Sequence, residues 1–200
     1  MNKGRLEAFS DGVIAILITI MVLDLRSPAG TDLSALTGVL PALATYLLSF
    51  VFLGIYWNNH HHLLHATSHI NGGVLWANLH LLFWLSLVPF GTRWMSETDF
   101  AAVPTAAYGA ILLLAAVAYG ILVRAIVAVQ PPESVLSRAI GSDRKGNISL
   151  VLYVVAIPLT FLNRSLALGL FALVAIMWLV PDRRIESRLN AQARTRSGAD

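Results

Sequence analysis

The stretch Arg5-Leu-Glu-Ala-Phe-Ser-Asp-Gly12 leads directly into eleven apolar or near-apolar residues at positions 13–23. A run of this kind, headed by ionisable side chains, predicts a membrane-spanning helix and not part of a soluble core. An ionised side chain costs roughly 2.5–3.5 kcal/mol near the centre of a membrane helix and less at its edge. We therefore expect Asp11 to have a partner that offsets this cost.

The composition of the whole chain is typical of a membrane protein. Of its 200 residues, 56% are hydrophobic and 12% are charged, whereas about 25% of the residues of a soluble domain are charged. The net charge of +3 does not indicate a nucleic-acid partner, because the basic residues are confined to loops and the tail. The chain has no Cys, which excludes disulfide and thiolate chemistry.

The first helix is predicted to be a retained span. Lys3 and Arg5 imitate the basic start of a cleaved signal peptide. Asp11, however, lies where the apolar run of such a peptide would begin, and no Ala-x-Ala cleavage site follows Leu25.

Six stretches are long and apolar enough, or nearly so, to cross a bilayer, which predicts an all-α, polytopic membrane protein. Pro41 and Pro89 predict bends in the second and third of them, and the fifth contains Pro158. Residues 58–73 are expected to form a polar, His-rich connection. The six stretches are 7–25, 33–57, 74–94, 105–129, 148–162 and 165–180. Close-packing points are expected at Gly109, Gly120 and Gly169.

The distribution of basic residues predicts that both termini are cytoplasmic. With the N-terminus inside, eleven of the fourteen Lys and Arg residues lie inside, and three (Arg26, Arg93 and Arg164) lie outside. We expect residues 1–181 to form the six-span membrane domain. Residues 182–200 are expected to form a basic, partly disordered cytoplasmic tail.

A stripe of five residues recurs at helical spacing along the first helix. Its members are Gly12, Ile16, Thr19, Ile20 and Leu23. Taken alone, this spacing favours ordinary packing in a helix bundle.

Asp11 requires a hydrogen-bond donor from another helix. Glu7 lies four residues before it and repels it, and Arg5 is six residues away, too far for a direct helix neighbour. Donors occur at the cytoplasmic end of the second helix and along the third, which predicts a buried polar network joining the first three helices. An arginine is the alternative partner. The candidate network residues are Trp57, His60, His61, Asn78 and His80.

The histidine cluster also invites a metal site, because His61 and His62 are four and three residues before His65. No Asp or Glu lies between Asp32 and Glu97, and a second histidine box is absent. We therefore predict no metal, and histidines that are structural or pH-sensitive. No nucleophile triad, phosphate loop or acid–base carboxylate pair can be assembled, so we expect neither an enzyme nor a cofactor.

The motif Arg5-x-x-x-Phe9-Ser10-Asp11-Gly12, at the head of the first of six predicted spans, resembles the signature of the transmembrane protein 175 family. That family comprises the lysosomal potassium channels and their prokaryotic relatives. Tyr56-Trp57-Asn-Asn-His60 is similar to the Trp-x-x-His that accompanies the signature, and the likeness covers residues 1 to about 180. The run of three histidines from His60 to His62 leaves three candidates for the family's single one.

The resemblance implies a potassium-permeable cation channel without a re-entrant selectivity filter. Because the chain carries one motif, it resembles the prokaryotic branch, a homotetramer in the inner (plasma) membrane in contact with lipid, K⁺ and other monovalent cations. The family's pore constriction falls on Ile16, Ile20 and Leu23, and its hydroxyl layer falls on Thr19. These are members of the stripe found from spacing alone.

Three alternatives accompany this interpretation. Asp24 is either part of an acidic ring that concentrates cations or an ordinary interfacial acid. The protein is alternatively a proton-coupled secondary transporter that uses Asp11 and the histidines as a relay. A membrane metalloenzyme built on the histidine cluster is the third interpretation.

Overall fold

The structure is a computed structural model that describes residues 3–131, 134 and 144–179. These residues are almost entirely helical, which confirms the predicted all-α class. A short 3₁₀ helix, Leu33–Gly38, precedes the second α-helix. The α-helices are α1 (Lys3–Leu23), α2 (Leu40–His65), α3 (Gly72–Ser86), α4 (Val88–Glu97), α5 (Ala102–Val129), α6 (Arg144–Leu159) and α7 (Arg164–Leu179).

Four helical segments are long and apolar enough to span a membrane: α1, α2, α3 together with α4, and α5. Helices α6 and α7 have 16 residues each in the described part of the chain. At 1.5 Å per residue, each is about 24 Å long, shorter than a hydrocarbon core of about 30 Å. The count of six spans and the cytoplasmic location of both termini stay predictions, and the tail at 182–200 lies outside the described residues.

The three prolines lie near the ends of helices and not in their middle. Pro41 lies in the first turn of α2, so the predicted kink is wrong. Its missing N–H and fixed φ suit that position. Pro89 likewise begins α4, which confirms an interruption of the third stretch, between Ser86 and Val88. Pro158 lies one residue before the end of α6.

The His-rich segment is helical up to His65, so the predicted connection at 58–73 is wrong in its first half. Trp57 stacks on His61, and His61 stacks on His65, with ring centroids 6.1 Å apart in both pairs. These contacts between residues four apart stabilise the last two turns of α2. Imidazoles near a helix C-terminus also suit the negative end of the helix dipole.

Two contacts join helix ends at one end of the bundle, which we name the inner end. Lys3 Nζ donates to the carbonyl of His65, 2.8 Å away, where α1 begins and α2 ends. Gln130, after α5, accepts from the backbone N–H of Ser68 at 3.0 Å and closes the loop between α2 and α3. The positive-charge bias predicts that this end is cytoplasmic.

Two further contacts define the opposite, outer end. Arg93 of α4 pairs with Asp24, which directly follows α1, at 3.3 Å. Arg164, at the start of α7, donates to the carbonyl of Asp99 at 3.2 Å. Consecutive helices therefore run from one end of the bundle to the other, apart from α3 and α4, which together make one crossing.

Three hydroxyl groups form a buried cluster between α2, α4 and α5. Ser49 Oγ lies 2.6 Å from Thr92 Oγ1 and 2.9 Å from the Tyr108 hydroxyl. Thr92 also donates to the carbonyl of Val88 at 2.7 Å. Without water in a bilayer interior, such groups must find partners in the protein, so the cluster fixes how α4 sits against its neighbours.

One of the three predicted close-packing glycines has that role within the chain. A Cβ at Gly109 would lie 2.6 Å from the Phe171 ring and 3.1 Å from Ile157. A Cβ at Gly120 or Gly169 would meet nothing within 4 Å, so that prediction is wrong for both positions inside one protomer. The absence of a side chain at Gly109 is what lets α5 approach α6 and α7.

Replacing Gly109 with Ala should lower the free energy of unfolding by about 1–3 kcal/mol, because a rigid aromatic ring occupies the space. Gly120→Ala in the same helix is the matched control. It should be neutral or stabilising by up to about 1 kcal/mol through helix propensity. Unfolding of both variants in detergent micelles measures the difference, and equal stabilities would contradict the close contact.

Candidate functional site

Helix α1 has two contrasting faces. Its buried face carries Leu6, Ser10, Ile14, Leu17 and Met21, spaced three or four residues apart. That spacing places them in one row facing the other helices. The opposite face carries the stripe predicted from the sequence.

The stripe is exposed in the protomer. Ile16 is 56% exposed, Ile20 is 45% exposed and Leu23 is 80% exposed. Gly12 and Thr19, the other two members, are exposed as well. A continuous apolar surface of this kind on a membrane helix is covered by lipid or by another protein chain.

The Thr19 hydroxyl points its hydrogen toward its own helix. Oγ1 lies 3.0 Å from the carbonyl oxygens of both Ala15 and Ile16, to which it donates. A hydroxyl has one hydrogen and two acceptor lone pairs. With the hydrogen engaged, the lone pairs remain available on the exposed side, where they can ligate a cation.

The partner of Asp11 is the indole of Trp57. Trp57 Nε1 donates to Asp11 Oδ1 at 3.0 Å and joins α1 to α2. No arginine bonds to Asp11 within the described part of the chain, and Arg5 of the same motif is exposed. Lys3 Nζ lies 3.8 Å from Glu7 Oε1 and offsets the repulsion between Glu7 and Asp11. Lys3 was not among the residues predicted to interact with Glu7 or Asp11. Its spacing of four residues from Glu7 was the available signal.

A buried chain of hydrogen bonds joins α1, α2 and α3 beside Asp11. Ser10 Oγ donates to the carbonyl of Leu6 at 2.9 Å and accepts from Asn78 Nδ2 at 2.9 Å. Asn78 Oδ1 lies 2.7 Å from His60 Nε2. Because an amide oxygen can only accept, His60 must carry a proton on Nε2. Each group therefore donates to the next, and all three are buried.

The remaining candidates lie outside this chain of bonds. His61 stacks on Trp57 and has an exposed side chain. His80 accepts from Trp84 Nε1 of its own helix at 2.9 Å and is exposed. Phe9 is 53% exposed beside the stripe. Of the three histidines at 60–62, His60 is the one that bonds to Asn78.

Asp24 is paired within the chain. Its carboxylate lies 3.3 Å from Arg93, which also contacts Glu97 at 3.1 Å. Arg26 approaches Glu97 at 3.7 Å. These exposed ion pairs join the outer end of α1 to α4, and they neutralise much of the charge that an acidic ring would need. Among the described residues, no group of three or more His, Asp or Glu side chains could hold a metal ion.

The motif region matches a known family of channels. The family model described as endosomal/lysosomal potassium channel TMEM175 matches residues 5–89. A potassium channel of Chryseobacterium sp. (strain P1-3) is 50% identical over 189 residues, which cover 94% of this chain and 98% of that protein. The chain belongs to the TMEM175 family. The resemblance of the motif is thereby confirmed.

Two other TMEM175 proteins are similar to this chain, one in structure and one in sequence. A crystal structure of a lysosomal potassium-selective channel TMEM175 homolog from Chamaesiphon minutus matches with a TM-score of 0.76 at 28% identity, covering 89% of this chain and 96% of that one. The human endosomal/lysosomal proton channel TMEM175 is 33% identical over 96 residues, which are 42% of this chain and 19% of that protein. This TMEM175 member is therefore a multi-pass membrane protein of a potassium-channel family, a class of proteins that are not enzymes.

Replacing Trp57 with Phe keeps the ring and removes the N–H donor to Asp11. The free energy of unfolding should fall by about 1 kcal/mol, because Trp57 is 44% exposed and water replaces part of the lost bond. Trp76→Phe is the control, since that indole is 75% exposed and has no hydrogen bond within the described part. Thermal unfolding of both variants decides; an equal loss would contradict a stabilising role for the Trp57–Asp11 bond.

Replacing Asn78 with Leu should cost about 1–3 kcal/mol for each buried group left unpaired. The exposed Asn58→Leu controls for the change from amide to alkyl side chain. Adding His60→Leu to Asn78→Leu should cost less than the two single costs combined, because the groups share one bond. Denaturant titration of the four variants measures this coupling. Additive costs would show that the chain of bonds does not act as a unit.

Proposed function

We propose that this TMEM175 member is a potassium-permeable cation channel, a homotetramer in which four copies of α1 surround one pore. The observation that carries the proposal is the asymmetry of α1. One face is held by bonds to Trp57 and Asn78, and the other presents an uncovered apolar stripe. A closed ring of identical subunits covers such a stripe with its own copies. The potassium-channel names of the relatives support the choice of ion.

The pore constriction in this proposal consists of rings of Ile16, Ile20 and Leu23. An apolar ring excludes water when it is narrow, and an ion cannot enter without its hydration shell. Such rings therefore gate by dewetting and not by binding ions. Their exposure in the protomer supports this role, since the side chains are not used in the chain's own core.

Thr19 forms the selectivity layer of the proposed pore. Four hydroxyl oxygens, each with its hydrogen donated to the backbone, would replace part of the hydration shell of K⁺. This arrangement gives a modest preference for K⁺ over Na⁺, since it lacks the ordered carbonyl rings of a re-entrant filter. Other monovalent cations are expected to permeate.

The proposed location is the inner membrane of a prokaryote, with six spans and both termini in the cytoplasm. The ratio of eleven basic residues inside to three outside supports this orientation. The grouping of helix ends into inner and outer layers supports an even number of crossings. Lipid contacts the remaining apolar faces, such as that of Val154 and Val155 on α6.

The contacts favour a channel over the alternative, a proton-coupled carrier. A carrier would need Asp11 and the histidines to exchange protons. Instead, Asp11 bonds to Trp57 and His60 bonds to Asn78, and no bond between Asp11 and a histidine occurs in the described residues. Ohmic single-channel currents would support the channel. Saturable flux driven by a proton gradient would support the carrier.

Replacing Ile20 with Ser should raise potassium flux through proteoliposomes several-fold, because a polar ring wets the constriction. Val22→Ser is the matched control. Val22 is also exposed on α1, at 46%, but lies outside the stripe, and its replacement should leave flux unchanged. Ile20→Trp should reduce flux. Equal flux in all three variants and the unmodified protein would remove Ile20 from the gate.

Native mass measurement of the purified protein tests assembly separately. The proposal requires a mass of four chains under conditions that preserve conduction. A smaller conducting species would contradict the four-fold pore, whatever the effect of the Ile20 substitutions.

A further inference from the structure

A cavity of about 330 Å³ opens between α2, α5, α6 and α7, away from the stripe on α1. It extends along α5 from Ala116 to Arg124, a rise of about 12 Å. Arg124 lies five residues before the end of α5, and Gly146 and Asn147 lie at the start of α6. The cavity therefore lies in the inner half of the bundle, near the membrane surface.

The deeper part of the cavity is lined by aliphatic and aromatic side chains, and its mouth is polar and basic. The deeper lining includes Phe52, Ala116 and the ring of Tyr56, and Arg124 and Asn147 lie nearer the inner end. No acidic side chain occurs among the lining residues that the structure describes. This gradient matches a molecule with an anionic head and an apolar body.

Two basic side chains, Arg124 and Lys145, lie near the mouth of the cavity. Arg124 is exposed and has no hydrogen bond or ion pair within the part of the chain that the structure describes. Lys145 Nζ lies 6.0 Å from the ring centre of Trp178, which lines the cavity. Trp178 Nε1 in turn donates to Ser149 Oγ at 2.8 Å, which fixes the ring.

We propose that this cavity binds the headgroup of an anionic phospholipid. The guanidinium of Arg124 would donate two parallel N–H bonds to the phosphate. Basic pockets between membrane helices near the surface suit such headgroups. A soluble phosphate offers the same charge but leaves the apolar depth to water, so the lining favours a lipid. The inference concerns binding and does not depend on conduction.

Gly120 provides the space for this ligand. It lines the cavity on α5, and a Cβ built there meets nothing within 4 Å. A larger side chain at this position would therefore project into the cavity without striking the protein. Gly169 on α7 has the same open surroundings but does not line the cavity.

Native mass spectrometry of the purified protein with phosphatidylglycerol or phosphatidylcholine tests the proposal. The unmodified protein should retain phosphatidylglycerol in preference to phosphatidylcholine. Arg124→Gln should weaken this retention about tenfold, as expected for the loss of a charged hydrogen bond, and Arg124→Lys should weaken it less. Gly120→Leu should abolish it. Gly169→Leu and Arg26→Gln, which match the added side chain and the lost charge, should bind like the unmodified protein.

Three outcomes would overturn the proposal. They are equal retention of the two lipids, equal retention by all folded variants, and displacement of the lipid by an equal concentration of glycerol phosphate, which would identify a soluble anion as the ligand. Elution of each variant as a single species from a sizing column verifies folding. If Gly120→Leu does not fold, the comparison of Arg124→Gln with Arg26→Gln still decides.

Discussion

A bilayer interior offers no water to a buried polar group, and the arrangement of the first three helices follows from this constraint. Ser10, Asn78 and His60 form these hydrogen bonds only in one relative position of α1, α2 and α3. Sliding α1 by one residue would shift Ser10 by about 1.5 Å along the helix and turn it by about 100°. The hydrogen bonds therefore fix both the height and the rotation of α1. In doing so, they determine the direction in which its exposed stripe faces.

The orientation of the exposed stripe consequently depends on the contacts of the buried face of α1. Ser10 and Ile14 lie in the buried row, and Ile16 and Ile20 lie on the opposite side of the same cylinder. A substitution that loosened the buried side would turn the exposed side away from its neighbours. The short motif at the head of α1 can thus influence residues two to three turns further along without touching them.

The polar network could be predicted from the sequence because few residues were able to supply it. Because Glu7 repels Asp11, the sequence predicts that the donor to Asp11 comes from α2 or α3, and Trp57, one of the candidates, is that donor. Asn78, another candidate, donates to Ser10 instead. The choice of His60 required the structure. At helical spacing, His60 and His61 point about 100° apart, and only packing reveals which direction is the buried one.

Other features could not be predicted, because a polar run in a membrane protein can be either a loop or the end of a helix. Its polarity predicts that the run from residue 58 to His65 is a loop, yet it is the end of α2. Exposure is similarly ambiguous. Ile16 on α1 and Val154 on α6 are 56% and 57% exposed. Exposure in one chain does not separate a side chain facing lipid from one facing a pore. The proposal that α1 faces the pore therefore depends also on the family resemblance of its motif and on Thr19.

The two ends of α1 are fastened by interactions of different physical character. Besides the exposed bonds of Lys3 and Asp11, the inner end is held by the buried hydrogen bonds of Ser10, Asn78 and His60, which dissolved ions do not screen. The outer end is held by the exposed ion pair of Asp24 and Arg93. Dissolved ions screen the attraction between exposed charges, with a screening length of about 8 Å at physiological ionic strength. The inner end of α1 is therefore fixed by buried contacts that salt does not weaken, and its outer end is fixed by a contact that salt does weaken. The freedom of the outer end of α1 to move should therefore increase with the salt concentration on that side of the membrane.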